Sequence, residues 1–263
     1  MFGHLPVWGR AGIWGLAGAS SLVIGAGLAY LVRLPTRVTA GIMAFGCGVL
    51  ISAVAYDLLL EGFKSGGLWP IVIGACIGSL AYTIADWLVS RNGGKHRKRS
   101  GEQQRQDASG SGGSGMAIAI GSLLDGIPES VVLGVGLLSG AGVSVAMFAA
   151  IFLSNLPEGL SSAVGMKKAG RSKTYVFGLW IIIAIISGAA ALAGAALLGS
   201  ASRELMASVN AIAAGALLTM IANTMVPEAV EGEYGLTGIF VVAGLLGGVC
   251  AVEKRGMRRA DNK

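Results

Sequence analysis

The hydrophobic positions of this chain fall into long apolar runs that are separated by short polar segments. A membrane-spanning helix needs about 20 mostly apolar residues. Eight runs meet this length, at 12–32, 39–61, 68–89, 116–138, 142–166, 175–198, 206–230 and 236–252. The pattern predicts an all-α integral membrane protein with eight transmembrane helices.

The composition agrees with a protein that sits in lipid and excludes a soluble enzyme. Hydrophobic residues make up 54% of the chain and charged residues only 13%, whereas soluble domains carry about 25% charged residues. The 43 glycines follow no collagen-like repeat, and small residues allow helices in membranes to approach closely. Cys47, Cys76 and Cys250 lie within apolar runs and are interpreted as small core residues.

The basic residues predict how the chain is oriented and divided. If both termini lie outside, the inner loops hold twelve of the 20 Lys and Arg residues, as the positive-inside rule requires. Segment 90–115, which is basic and then rich in Gly and Ser, becomes a flexible cytoplasmic loop between helices 1–3 (1–89) and helices 4–8 (116–252). A basic tail covers 253–263. The net charge of +6 is explained by these loops and does not indicate nucleic-acid binding.

The fourth and fifth runs contain ionisable residues near their centres, where such groups cost about 2.5–3.5 kcal/mol. The fourth run reads DGIPES (125–130) and the fifth reads SNLPEG (154–159). Asp125 and Glu129 are four residues apart and share a helix face. Ser154, Asn155 and Glu158 lie on the neighbouring turns of the fifth run. A short connection makes the two helices antiparallel, so the acidic faces can meet.

Each of these two motifs also contains a proline, Pro128 or Pro157. A proline inside a helix leaves one backbone carbonyl without its usual donor. Three nearby carboxylates in a low dielectric need protons or a cation to stay together. These features predict a divalent cation site, while a hydrogen-bond network that only holds the bundle together is the structural alternative.

Four further polar residues lie closer to the ends of other runs. Asp57 and Glu61 share a face of the second run, and Asn223 and Glu228 belong to a seventh-run segment that repeats the Pro–Glu pair. Solvated helix ends explain these residues on their own. As groups of a vestibule or pathway they would attract cations by focusing a negative field.

At the DGIPES and SNLPEG segments the sequence resembles the ZIP (Zrt/Irt-like protein) family of divalent metal transporters. The resemblance implies a ZIP-like bundle of eight spans, termini outside, a variable loop after the third span, and a metal site on the fourth and fifth spans. By position, Glu129 and Glu158 match ligand glutamates and Asn155 matches an Asn/Asp position. Asp125 stands where the family usually has His, and Ser154 stands where it usually has His or Gln.

The missing histidines change what the resemblance implies about the metal. The only two histidines, His4 and His96, lie elsewhere, so a family-like binuclear centre is reduced to a mononuclear, all-oxygen site. Zinc is the ion that the family implies and it accepts Asp and Glu oxygens. Carboxylate and carbonyl ligands are better suited to ions such as Mn, Mg or Ca, and Mn, Fe and Cd remain alternatives to Zn as the transported substrate.

These observations predict a divalent metal permease of the inner or plasma membrane that works by alternating access. The alternative is a non-transporting relative that binds or senses metal with the same fold. No Ser/His, zincin or aspartyl-dyad pattern is present in the sequence, so we do not expect an enzyme. The expected partners are the metal ion and the lipid bilayer, and a homodimer is compatible with the small-residue faces.

Overall fold

A computed structural model describes residues 4–32, 34–91, 114–139, 143–232 and 235–261. These residues form eight long helices and no strand. The helices are α1 (Val7–Leu31), α2 (Thr36–Gly66), α3 (Leu68–Val89), α4 (Ser114–Gly136), α5 (Val145–Lys168), α6 (Lys173–Leu198), α7 (Arg203–Glu231) and α8 (Thr237–Asp261). The prediction of an all-α chain is confirmed for this part of the molecule.

Seven of the described helices are long and apolar enough to cross a membrane, which is the pattern of a multi-pass membrane protein. Helix α4 is not among the seven, so the predicted eighth span stays a prediction, as does the placement of both termini outside. Most of the predicted loop 90–115 and part of the turn before α5 lie outside the described residues. Helix α8 continues beyond the predicted end at 252 and includes much of the predicted tail.

Helices α2 and α7 each contain an internal π-helical segment, which the hydrophobic pattern does not predict. In α2 the segment is Val54–Leu60, and in α7 it is Ile221–Met225. Asp57 and Asn223, both predicted pathway residues, lie in these two segments. A π segment inserts extra backbone into a helix and is frequent at functional sites.

The eight helices pack as two groups. In group A, α1 packs along α5 and α6, and α4 packs along α6. In group B, α3 packs along α7, and α2 packs along α8 and the end of α7. The two groups meet mainly where α2 lies against α5. Although α4 and α5 follow each other in sequence, their backbones approach closely over only a small part of their length.

Glycines bring the paired helices into backbone contact. A Cβ atom on Gly48 of α2 would lie 1.9 Å from the carbonyl oxygen of Val241 in α8. A Cβ atom on Gly78 of α3 would lie 1.8 Å from the carbonyl oxygen of Ile212 in α7. A side chain would not fit at such distances, so only glycine permits these close backbone contacts. Helices in lipid depend on such packing, because there is no hydrophobic drive between them.

Candidate functional site

The predicted site residues of α4 and α5 are all buried in the interior of the bundle. The exposed fraction is 1% for Asp125 and Glu129 and 3% for Glu158. Asn155 and Ser154 are equally removed from the surface. Both helices run without interruption through their internal prolines. The motifs therefore place three carboxyl groups, one amide and one hydroxyl inside the bundle.

Two hydrogen bonds connect α4 and α5 in a reciprocal way. Ser122 of α4 donates its hydroxyl to Oε1 of Glu158 in α5, at 2.7 Å. Ser154 of α5 donates to Oε1 of Glu129 in α4, at 3.2 Å. Each helix thus supplies one carboxylate and one hydroxyl to the other. The predicted meeting of the two acidic faces occurs through these bonds.

The two bonds differ in how firmly they hold their carboxylate. The hydroxyl of Ser154 also lies 3.0 Å from the backbone carbonyl oxygen of Ile151. Its single proton can be given to only one of these acceptors at a time. Glu129 therefore shares its donor with the backbone of α5, and the shorter bond to Glu158 is the firmer connection.

Asp125 accepts a hydrogen bond on Oδ1 from the hydroxyl of Tyr82, which lies on α3. Tyr82 is buried, with 3% of its surface exposed. Each of the three carboxylates therefore receives a hydroxyl from another helix.

The sequence interpretation missed two of these donors, although the sequence contains a signal for each. Ser122 lies three residues before Asp125 and seven before Glu129, which places all three on one face of α4. Tyr82 lies four residues after Gly78 in a helix whose buried residues are Gly74, Gly78 and Tyr82. The signal for such a donor is a polar residue at helical spacing from a carboxylate or from a glycine that packs against another helix.

The acidic residues of α4 and α5 have no basic residue near them in the sequence before the last turn of α5. No Lys or Arg occurs between Arg105 and Lys167, and Lys167 lies in the last turn of α5. The hydroxyls of Ser122 and Ser154 and the amide of Asn155 are buried polar groups that α4 and α5 supply beside these carboxylates. Such a set of oxygen atoms suits protons or a hard divalent cation.

No group of three or more His, Cys, Asp or Glu side chains that could hold a metal ion occurs within the described ranges. The predicted ligands Asp125, Glu129 and Glu158 therefore do not form a closed acidic cluster in this conformation. A bound cation would use fewer carboxylates, with Asn155 and Ser154 or backbone oxygens as additional ligands, or would draw the carboxylates together.

The four predicted pathway residues are less buried than the residues of this site. Glu61 and Asn223 are exposed, and Asp57 and Glu228 are partly buried. Asp57 accepts a hydrogen bond from the hydroxyl of Ser144, which comes directly before α5. The structure therefore connects Asp57 to α5, a contact that the sequence interpretation did not predict.

Ser144 has two roles at the start of α5. Its hydroxyl oxygen accepts a hydrogen bond from the backbone amide of Met147 at 3.2 Å, which caps the helix. The same hydroxyl donates to Asp57 of α2. The carboxylate of Asp57 also lies near the positive end of the α5 dipole, where negative charge is stabilising.

We expect Ser144→Ala to lower the free energy of unfolding by about 1–2 kcal/mol, because it removes a helix cap and the donor to Asp57. Denaturant titration in mixed micelles measures this. The matched control is Ser172→Ala, since Ser172 caps α6 through Tyr175 and is exposed. The control should cost less, and equal losses would argue against a contribution from Asp57.

Neither a protein-family model nor a curated protein sequence matches this chain.

Proposed function

We propose that this protein is a divalent metal cation permease whose transport site lies between α4 and α5. The observation that carries the proposal is the set of buried carboxylates Asp125, Glu129 and Glu158, each with a hydroxyl donor from another helix. Burying ionisable groups at the centre of an apolar bundle is costly, and such groups mark ion or proton pathways by default.

The geometry between α4 and α5 supports reversible binding. In the reciprocal Ser–Glu bonds each carboxylate accepts from an uncharged hydroxyl, which a cation can replace, and Glu129 already shares its donor with a backbone carbonyl. Asn155, buried one turn before Glu158, adds an amide oxygen. A site that binds firmly but releases its ion needs ligands of this adaptable kind.

The chemistry of the proposed ligands indicates which ions the site favours. The proposed ligands are carboxylate, amide and hydroxyl oxygens, and both histidines lie outside α4 and α5. Oxygen ligands suit Mn²⁺, and Zn²⁺ also accepts Asp and Glu. We propose a divalent transition metal as substrate, with Zn²⁺ and Mn²⁺ as the first ions to test and Fe²⁺ and Cd²⁺ next.

The division into two helix groups supports transport by alternating access. The site lies on α4 and α5 of group A, and group B supplies Tyr82 through α3. Movement of group A against group B would carry the cation from one side of the membrane to the other. The closest glycine contacts lie within the groups, as between α3 and α7 or α2 and α8, whereas Gly46 of α2 approaches the backbone of α5 less closely. Each group can therefore move as a packed unit.

The experiment is cation flux into liposomes that contain the purified protein, with a metal-sensitive dye inside. We expect Zn²⁺ or Mn²⁺ to enter faster than into protein-free liposomes, and equilibrium dialysis to show binding of the same ion. Binding without flux would favour the alternative, a non-transporting protein that senses or stores metal. Absence of both binding and flux would overturn the proposal.

A further inference from the structure

Helix α3 has one large polar side chain, that of Tyr82, buried in the bundle. Its buried residues are Gly74, Gly78 and Tyr82, which repeat every four residues and form one stripe. The two glycines pack against the backbone of α7, where Cβ atoms on them would lie 2.9 Å and 1.8 Å from the carbonyl oxygens of Ser208 and Ile212. Tyr82 continues the stripe, but its hydroxyl contacts a different helix.

The hydroxyl of Tyr82 donates to Oδ1 of Asp125 in α4. Helix α3 belongs to group B, whereas α4 packs along α6 in group A. The bond therefore joins the two groups at the candidate cation site. A second bond between the groups, from Ser144 to Asp57, joins α5 to α2 near the start of α5.

We infer that Tyr82 is a positioning residue that competes with the cation for Asp125 and holds the two helix groups together while no cation is bound. The inference rests on the proposed function. A carboxylate oxygen that accepts a hydroxyl proton has less capacity to coordinate a metal ion. A cation that Asp125 coordinates through both carboxylate oxygens takes Oδ1 as well as Oδ2, so it displaces the hydroxyl and removes this bond between α4 and α3.

Exchange of the Tyr82 hydroxyl for the cation at Asp125 couples cation binding to movement of the two helix groups. A ligand shifts a conformational equilibrium only by the difference in its affinity for the two states. Here the conformation with the Tyr82 bond binds the cation less well, because the bond must first be broken. The conformation without the bond has Asp125 available, so the cation favours separation of the groups.

The test is Tyr82→Phe, which keeps the ring and removes only the hydroxyl. Hydrogen bonds to charged groups are strong enough that we expect the dissociation constant for Zn²⁺ or Mn²⁺ to fall by about tenfold. Equilibrium dialysis of the purified full-length protein measures it. Tyr56→Phe is the matched control, because Tyr56 of α2 is 39% exposed, and its dissociation constant should stay at the wild-type value.

A second measurement reports the position of the groups directly. A spin label on native Cys76 of α3, which is exposed, and one on Ile182→Cys of α6, which is 57% exposed, span the two groups. Cys250→Ser removes the other exposed thiol. We expect the wild-type distance distribution to change when Zn²⁺ or Mn²⁺ is added. The Tyr82→Phe protein should show the changed distribution before any ion is added.

The outcomes separate the two proposals. If wild-type protein binds none of Zn²⁺, Mn²⁺, Fe²⁺ and Cd²⁺, the proposed function fails and this inference fails with it. If wild-type protein binds the ion but Tyr82→Phe binds it equally or less tightly, the competition is disproved while the permease proposal stands. Tighter binding together with the shifted distances would support the role of Tyr82.

Discussion

Replacing Glu129 or Glu158 by glutamine should reduce metal flux into liposomes by at least about 100-fold, since even residues behind a metal ligand alter affinity 10- to 100-fold. Glutamine has the volume of glutamate, and its amide oxygen can still accept the hydrogen bond from Ser154 or Ser122. The substitution therefore removes the charge while it preserves the packing of α4 against α5. The loss should appear in both binding and flux.

A control carboxylate lies far from the site in the sequence and on the surface. Glu204 is exposed in the first turn of α7, and we expect Glu204→Gln to leave flux unchanged. Full flux in both site variants would contradict the site assignment. If their flux persisted while their thermal stability fell, the carboxylates would be part of a hydrogen-bond network that only holds the helices together.

The length and order of the helices could be predicted because lipid imposes a simple rule on the sequence. Backbone groups in a bilayer must be satisfied within a helix, so each span appears as one apolar run. Helix α3, predicted at 68–89, has these bounds in the structure. Helix ends were less accurate where polar residues continue the helix, as in α8, because a helix does not have to stop at the membrane boundary.

The carboxylates of the site could be predicted for the same reason, since charge is rare inside apolar runs. Their hydrogen-bond donors could not be predicted, because serine and tyrosine are common in such runs and their partners depend on helix packing. Tyr82 meets Asp125 only because α3 packs along α7 in a register that turns the tyrosine towards α4. The π segment around Asp57 likewise depends on packing between α2 and its neighbours.

The glycines of the helix contacts are the second place where a single substitution should have a large effect. We expect Gly78→Ala to destabilise the protein by about 1–3 kcal/mol, the range for an overpacked core. The added Cβ would lie 1.8 Å from the carbonyl oxygen of Ile212, which is backbone and cannot rotate away. Helix α3 would have to move from α7, and Tyr82, one turn further along, would move with it.

Replacing glycine by alanine at two other positions in the bundle should raise the stability of the protein instead of lowering it. A Cβ atom on Gly27 of α1 or Gly178 of α6 would meet no atom within 4 Å. Alanine is favoured over glycine in a helix by about 0.5–1 kcal/mol, so Gly27→Ala and Gly178→Ala should stabilise slightly. Thermal unfolding of the three variants in detergent measures the difference. If Gly78→Ala were as stable as the two controls, α3 and α7 could not be packed backbone to backbone, and Tyr82 would lose the register that brings its hydroxyl to Asp125.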